Sequence, residues 1–293
     1  IIGYTAAGRI SPLRKTLARE ISATGVALHA GVPVRMTLSP TAPGAGVVFR
    51  RADLCGREIP ALYDRVGETR LGTVLGGGDL SIGVVEHLMA AIAGAEVDDL
   101  LVTLDGPEPP ILDGDALAYL ALIDQAGLRE QDAPRQAIKV LRRVEIVQKE
   151  ARAALIPHDR LEYGMEIAFA AAAIGNQAFS FVFSPQGFRC EIAPARTFGF
   201  LSELEGLNKL NLAKGASLEN TLAIDGNGIV NAGLLRFADE FVRHKILDAI
   251  GDMALAGAPL IARFEGLRSG HAVNNALLRA LFADPANYAL VTL

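Results

Sequence analysis

Apolar and polar positions change period along this chain in a way that divides it into two runs of strands, each closed by helices. From Thr16 to Leu38 they alternate on either side of a break at Gly25, which predicts a two-stranded hairpin with His29 and Gly31 near its turn. VVFRR, residues 47–51, reads as another short strand, and Gly76, Gly77 and Gly78 as a flexible loop leading to Ser81. Ser81 to Gly94 has a helical pattern, with Ser81 as its N-cap and Gly94 as its stop. A turn around Val97, a strand in LLVTL, a rigid loop in GPEPPILDGD and a helix ending near Gly127 complete this half.

The polar stretch LREQDAPRQ, around Arg129 to Gln136, marks the expected boundary. Strands resume in AIKVLRRVEIVQ, ARAALIP, LEYGMEIAF, FSFVF and RCEIAP. An insertion with a short amphipathic helix, LSELEGLNKLNL, precedes the helix FVRHKILDAIGD, the strand PLIARFEG and the helix GHAVNNALLRALFA. In both halves a His-bearing helix is followed by a strand, a loop and a second helix. The predicted class is therefore α+β, with two domains of like topology, 1–130 and 136–293, and an insert at about 199–230. Each domain is expected to be a mainly antiparallel sheet packed on two helices, the helices of both facing each other in a β-α-α-β sandwich.

Composition narrows the function. A chain of 293 residues, 51% hydrophobic and 21% charged, has material for two real cores. A net charge of -5 without a basic block argues against a nucleic-acid partner. No apolar run reaches the length of a membrane span and the N-terminal residues carry no signal-peptide pattern, so a cytoplasmic protein without a transmembrane segment is expected. Cys55 and Cys190 are the only cysteines and stand far apart, which leaves His and carboxylates to hold any metal.

At about 100° per residue, Phe241 to Asp252 places His244, Asp248 and Asp252 on one strip with Lys245 at its edge, opposite an apolar arc of Val242, Ile246, Ala249, Ile250 and Met253. His at i and Asp at i+4 give two ligands for one cation. A third is His87 on the first-half helix, where the preceding Glu86 points about 100° away and is a candidate general base. His271 opens the last helix, and an acid partner such as Asp252 would hold it protonated as a general acid. Thr197 is a candidate hydroxyl donor to an oxyanion, and Arg243 is expected to pair with Asp239 or Glu240. His29 and His158 lie in turns without such company. No GxSxG, Walker loop or dinucleotide fingerprint is present.

VEHLMAAIAG, PILDGDA, ARTFGF, LRFADEFVRHKILDAIGD and SGHAVNN together resemble the UDP-3-O-acyl-N-acetylglucosamine deacetylases, the zinc amidases of lipid A biosynthesis, over about Thr16 to Ala283. The resemblance implies Zn2+ held by His87, His244 and Asp248, Glu86 as the base, and His271 as the acid oriented by Asp252. It implies that Lys245 and Thr197 assist at the water and the amide carbonyl, that Phe198 and Phe200 line the substrate pocket, and that Arg268 meets the nucleotide phosphates. Lys149 is a looser match for the same side. The insert resembles a passage for the acyl chain, to which Leu201, Leu204, Leu207 and Leu210 present helical spacing, a spacing equally suited to core packing. The implied substrate is UDP-3-O-acyl-N-acetylglucosamine, acted on by a monomer. One departure stands out: relatives carry a DFxHPxIGxQ segment, and here AFAAAAIGNQ puts Ala168, Ala171 and Ala172 in place of the acid, His and Pro. That leaves open an amidase of the same fold acting on a different acylated sugar, or a non-catalytic relative that binds lipid or nucleotide sugar.

Overall fold

The computed structural model describes residues 11–231, 233 and 235–293; the first ten residues of the expected first domain lie outside them. Its two large sheets are built alike. In the first, strands Ile21–Val26, Pro33–Pro40, Leu100–Leu104, Val47–Arg51 and Arg57–Pro60 lie side by side in that order. In the second the order is Val144–Gln148, Ala151–Ile156, Arg263–Leu267, Glu162–Ala168 and Asn176–Val182. Each is antiparallel except at one place, where the strand that arrives last in sequence pairs parallel with the third, Val47–Arg51 with Leu100–Leu104 and Glu162–Ala168 with Arg263–Leu267.

Helices occupy equivalent positions in the two halves. In the first, α1 (Glu86–Gly94) precedes that late strand and α2 (Leu117–Ala126) follows it. In the second, a single turn α3 (Pro185–Gly187) and α4 (Leu201–Lys209) come first; α5 (Glu240–Ala254) then precedes the late strand and α6 (His271–Ala283) follows it. α1 packs on α5, and the buried Leu88, Ile92, Ile246, Leu247 and Ile250 all belong to one continuous core. The fold is the expected α+β sandwich with its helices inside.

Several local expectations are corrected. Thr16 and Leu17 belong to a separate strand, Leu13–Leu17, and Gly25 lies within the hairpin's first strand instead of at its turn. The polar stretch after Gly127 is itself a strand, Leu128–Pro134, paired antiparallel with Leu13–Leu17. Ser81 does not cap a helix: it sits in strand Leu80–Ile82, which forms a hairpin with Val74–Gly77, so two of the three glycines are in a strand. Val84, with φ 53, breaks the backbone before α1 begins at Glu86. RCEIAP is not a strand but a π-turn, Phe188–Ile192, whose Phe188 seats where a Cβ on Gly94 would stand 2.1 Å from its ring. Ion pairs converge on the turn after α1: Arg14 of strand Leu13–Leu17 meets Asp99 at 2.7 Å, Lys15 of the same strand meets Glu96 at 2.8 Å, and Arg135 meets Asp98 at 2.8 Å.

Candidate metal centre and active site

α5 starts where the buried carboxylate of Glu240 pairs with Arg196, at 2.9 Å, and Arg243 pairs with Asp239 as expected, at 2.6 Å. These bonds fix the first turn, and the next turns carry His244, Asp248 and Asp252. All three are buried, because α1 covers the polar strip as the second sheet covers the apolar arc. α1 brings Glu86 and His87, also buried, from the other half.

His87 Nε2 lies 3.4 Å and His244 Nε2 3.3 Å from Asp248 Oδ1, and the three ligand atoms fall within 4.8 Å of one another. Tetrahedral ligation with bonds of about 2.0–2.1 Å spaces ligand atoms by roughly 3.4 Å. Asp248 Oδ1 is buried without a hydrogen-bond partner among the described residues, as a ligand atom facing a cation would be. The Nδ1 of His244 is set 3.0 Å from the Ala195 carbonyl, so an Nδ1–H donates there and leaves Nε2 with its lone pair toward the cluster. Burial lowers the His244 pKa to about 4 against the opposing pull of Asp248, which keeps the imidazole neutral, the form that can ligate a metal. Burial alone would raise the Asp248 carboxyl, but Lys245 and His244 hold it well below the usual range; Lys245 Nζ donates to Asp248 Oδ2 at 2.5 Å. The donor set fits a divalent cation of the type imidazole and carboxylate hold.

Beside this triad stand a second carboxylate and a third imidazole, Glu86 and His271. Glu86 Oε1 is 3.7 Å from His271 Nε2, and His271 Nδ1 donates to Asp252 Oδ2 at 2.9 Å. Burial pushes Glu86 up from the ordinary carboxylate range. For His271 burial works downward, but the negative charges of Asp252 and Glu86 outweigh it and raise the pKa to about 9. Gly72 leaves the room Glu86 needs, since a Cβ there would stand 2.9 Å from Oε1.

The remaining candidates divide. Phe198 lies against the triad, its ring 6.1 Å from that of His244 and 5.0 Å from that of Phe241. Thr197, one residue earlier, is anchored by its backbone N–H donating to the Gly114 carbonyl at 2.9 Å. Phe200 packs on Phe169, 6.1 Å between ring centres. Lys149 and Arg268 sit at one end of the second sheet, where Arg268 pairs with Glu150; among the described residues no hydrogen bond or ion pair joins either to the triad. The helical leucines of the insert are not buried, and Leu210 is 62% exposed. His158 is in an exposed turn. His29 does more than its turn suggested: its ring meets the Leu71 carbonyl at 3.2 Å and the Ala213 N–H at 3.3 Å, joining the insert to the segment before Thr73.

Sequence reasoning missed Thr73, Asn274 and Phe169. Thr73 donates to both Glu86 and Asp252, Asn274 donates to Asp252, and Phe169 joins Phe198 and Phe200 in one aromatic wall. Asn274 stood within the SGHAVNN motif, three residues past His271 and so on its face of the helix; Thr73 stood in no motif.

A family model described as UDP-3-O-acyl N-acetylglycosamine deacetylase matches residues 14–283. A protein of Myxococcus xanthus (strain DK1622) named UDP-3-O-acyl-N-acetylglucosamine deacetylase is 46% identical over 279 residues, 95% of this chain and 89% of its own length. Proteins of the same name from Phenylobacterium zucineum (strain HLK1) and Acinetobacter baumannii (strain AYE) are 47% and 44% identical. The first alignment covers 89% of this chain and 90% of that protein, the second 95% and 94%.

Proposed function

The chain belongs to the UDP-3-O-acyl N-acetylglycosamine deacetylase family, and from that premise we propose that it hydrolyses the N-acetyl group of UDP-3-O-acyl-N-acetylglucosamine in lipid A biosynthesis, with Zn2+ as its cofactor. The observation that carries the reading is the convergence of His87, His244 and Asp248 with a carboxylate and a charged imidazole, Glu86 and His271, directly beside them.

Zinc held by His87, His244 and Asp248 would supply a Lewis acid that makes a water more acidic and polarises the acetamide carbonyl. Glu86 takes the proton of the attacking water, and its raised pKa makes it the stronger base near neutral pH. Carbon–oxygen bond formation is followed by carbon–nitrogen cleavage, and His271 Nε2 gives its proton to the departing sugar amine. Asp252 keeps that imidazole charged and turned the right way through the Nδ1 bond. The Thr197 hydroxyl donates to the carbonyl oxygen as charge develops on it, and Lys245 balances the charge of Asp248. Acetate and the free amine are the products.

Phe198 and Phe200 line the sugar side of the pocket, Arg268 and Lys149 receive the diphosphate, and the insert follows the acyl chain. The reading takes residues 1–130 and 136–293 as the two units and a single cytoplasmic chain as the working form. Among the described residues no helix is long and apolar enough to cross a membrane.

The test is deacetylation by the zinc-loaded protein of the acylated sugar with and without its UDP group, before and after chelation. Chelator-reversible activity on the nucleotide form supports the reading. Equal activity on both forms would shift it to a different acylated sugar, the outcome that Ala168, Ala171 and Ala172 make worth testing. No activity on either would overturn it.

A further inference from the structure

Resting on the acid and base roles assigned above, we infer that Thr73 is a positioning residue that locks the general base and the general-acid dyad into one frame. Thr73 immediately precedes strand Val74–Gly77 and is 1% exposed. Each of its polar groups is committed. Its backbone N–H donates to Glu86 Oε2 at 2.9 Å, its carbonyl accepts from the Val85 N–H at 3.2 Å, and its hydroxyl donates to Asp252 Oδ1 at 2.5 Å.

The two oxygens of Asp252 are thus held differently. Oδ2 takes His271 Nδ1–H at 2.9 Å and Asn274 Nδ2–H at 2.8 Å, with Asn274 itself fixed by the hydroxyl of Ser269. Oδ1 takes the Thr73 hydroxyl, its one hydrogen bond among the described residues. A carboxylate held at one oxygen alone can swing about its own axis; held at both it cannot, and neither can the imidazole it carries. Because the same residue holds Glu86 by its main chain, Thr73 fixes how far the base stands from the acid, the 3.7 Å between Glu86 Oε1 and His271 Nε2. The main-chain bond survives any substitution, so the hydroxyl is the part a variant can test.

The experiment compares zinc-loaded wild type, Thr73→Val and Thr73→Ser in steady-state deacetylation and in NMR spectra of the His271 Nδ1 proton. Valine keeps the shape and removes the donor. It is expected to lower kcat about 10- to 100-fold, the scale for losing an outer hydrogen-bond partner of a catalytic group, with KM and zinc content unchanged and the His271 signal displaced. Serine is expected to restore both. In an Asp252→Ala background Thr73→Val should cost nothing further, since the group it positions is gone. Thr73→Cys, a weak donor of similar volume, takes valine's place should valine prevent folding, with the same expectations.

An unmoved kcat together with an unmoved His271 signal would overturn the inference, as would a full additional loss in the Asp252→Ala background or failure of serine to restore. An inactive wild type would count against the deacetylase reading alone, and the His271 signal would still decide whether Thr73 positions the dyad.

Discussion

Gly251 of α5 faces the main chain of Glu86 so closely that a Cβ on Gly251 would stand 1.9 Å from the Glu86 carbonyl oxygen. The two helices that carry the metal triad therefore touch through backbone, one turn from Asp248. This contact sets the distance between His87 on α1 and His244 on α5, which belong to different halves of the chain.

Gly251→Ala should push the helices apart at the site itself. The obstacle is backbone on both sides, so no side chain can swing away. Overpacking of this kind costs about 1–3 kcal/mol, and a fall of several degrees in Tm is expected by calorimetry. Zinc affinity should fall with it, since His87 moves relative to His244 and Asp248. Wild-type zinc affinity in a folded Gly251→Ala protein would show that the helix contact does not set the ligand spacing.

The charge on His271 predicts a pH dependence of stability in the metal-free protein. Its folded pKa, about 9, lies above its ordinary value of 6.5, so its contribution is fully present below pH 6.5 and is lost as pH rises through 9. Relative to His271→Gln, which lacks the titrating group, the metal-free wild type should lose stability across that window. Denaturant unfolding of both at pH 6, 7.5 and 9.5 checks it. Parallel curves would mean that Asp252 and Glu86 do not hold His271 charged.

Lys245 touches Asp248 through the oxygen that does not face the two histidines. The role proposed for it is charge balance and not ligation. Lys245→Met should keep zinc, because the triad is untouched, while kcat falls about 10- to 100-fold, the range typical of outer-shell partners. Metal analysis alongside kinetics separates the two effects, and loss of zinc would make Lys245 necessary to build the site.

Two members of the triad were legible because helical geometry is local: His244 and Asp248, together with Asp252, share a strip at any helix that spans them, whereas His87 comes from another helix. The repeated order of helix, strand and helix was also readable, and the two sheets repeat one strand order down to the single parallel pair. Thr73 was not readable. It reaches Asp252 across 179 positions of sequence, through a bond set by how α5 lies against the hairpin, and nothing in its neighbours signals that. The start of α1 was misplaced for a related reason. Ser81 is a good N-cap by residue type, but strand pairing with Gly76 claimed its backbone first. The strand Leu128–Pro134 read as a linker because it is polar and largely exposed; its partner, Leu13–Leu17, is remote in sequence.

Arg268 and Lys149 should matter for substrate capture and not for chemistry. Both have positive φ, 50 and 54, at the end of the second sheet, where the exposed Arg268 pairs with Glu150. A charge-assisted bond to phosphate contributes about 1.5–3 kcal/mol, so Arg268→Ala should raise KM about tenfold or more with kcat nearly unchanged. On the sugar without UDP the variant and wild type should behave alike. A kcat loss equal on both substrates would place Arg268 in the catalytic set instead.

The leucines of α4 separate two explanations of one periodic pattern. Core packing and contact with an acyl chain both call for Leu at three- and four-residue spacing, and sequence alone does not divide them. In the folded chain Leu201 and Leu210 are exposed and Leu204 and Leu207 only partly covered, so the helix buries little of its apolar face. Leu204→Ser with Leu207→Ser should then change unfolding free energy by no more than about 0.5 kcal/mol per site, the usual range for surface positions. KM for a long-chain substrate should rise while that for a short-chain one holds, because the apolar area they offer scales with the chain in contact. A large drop in stability with no dependence on chain length would assign the helix to packing.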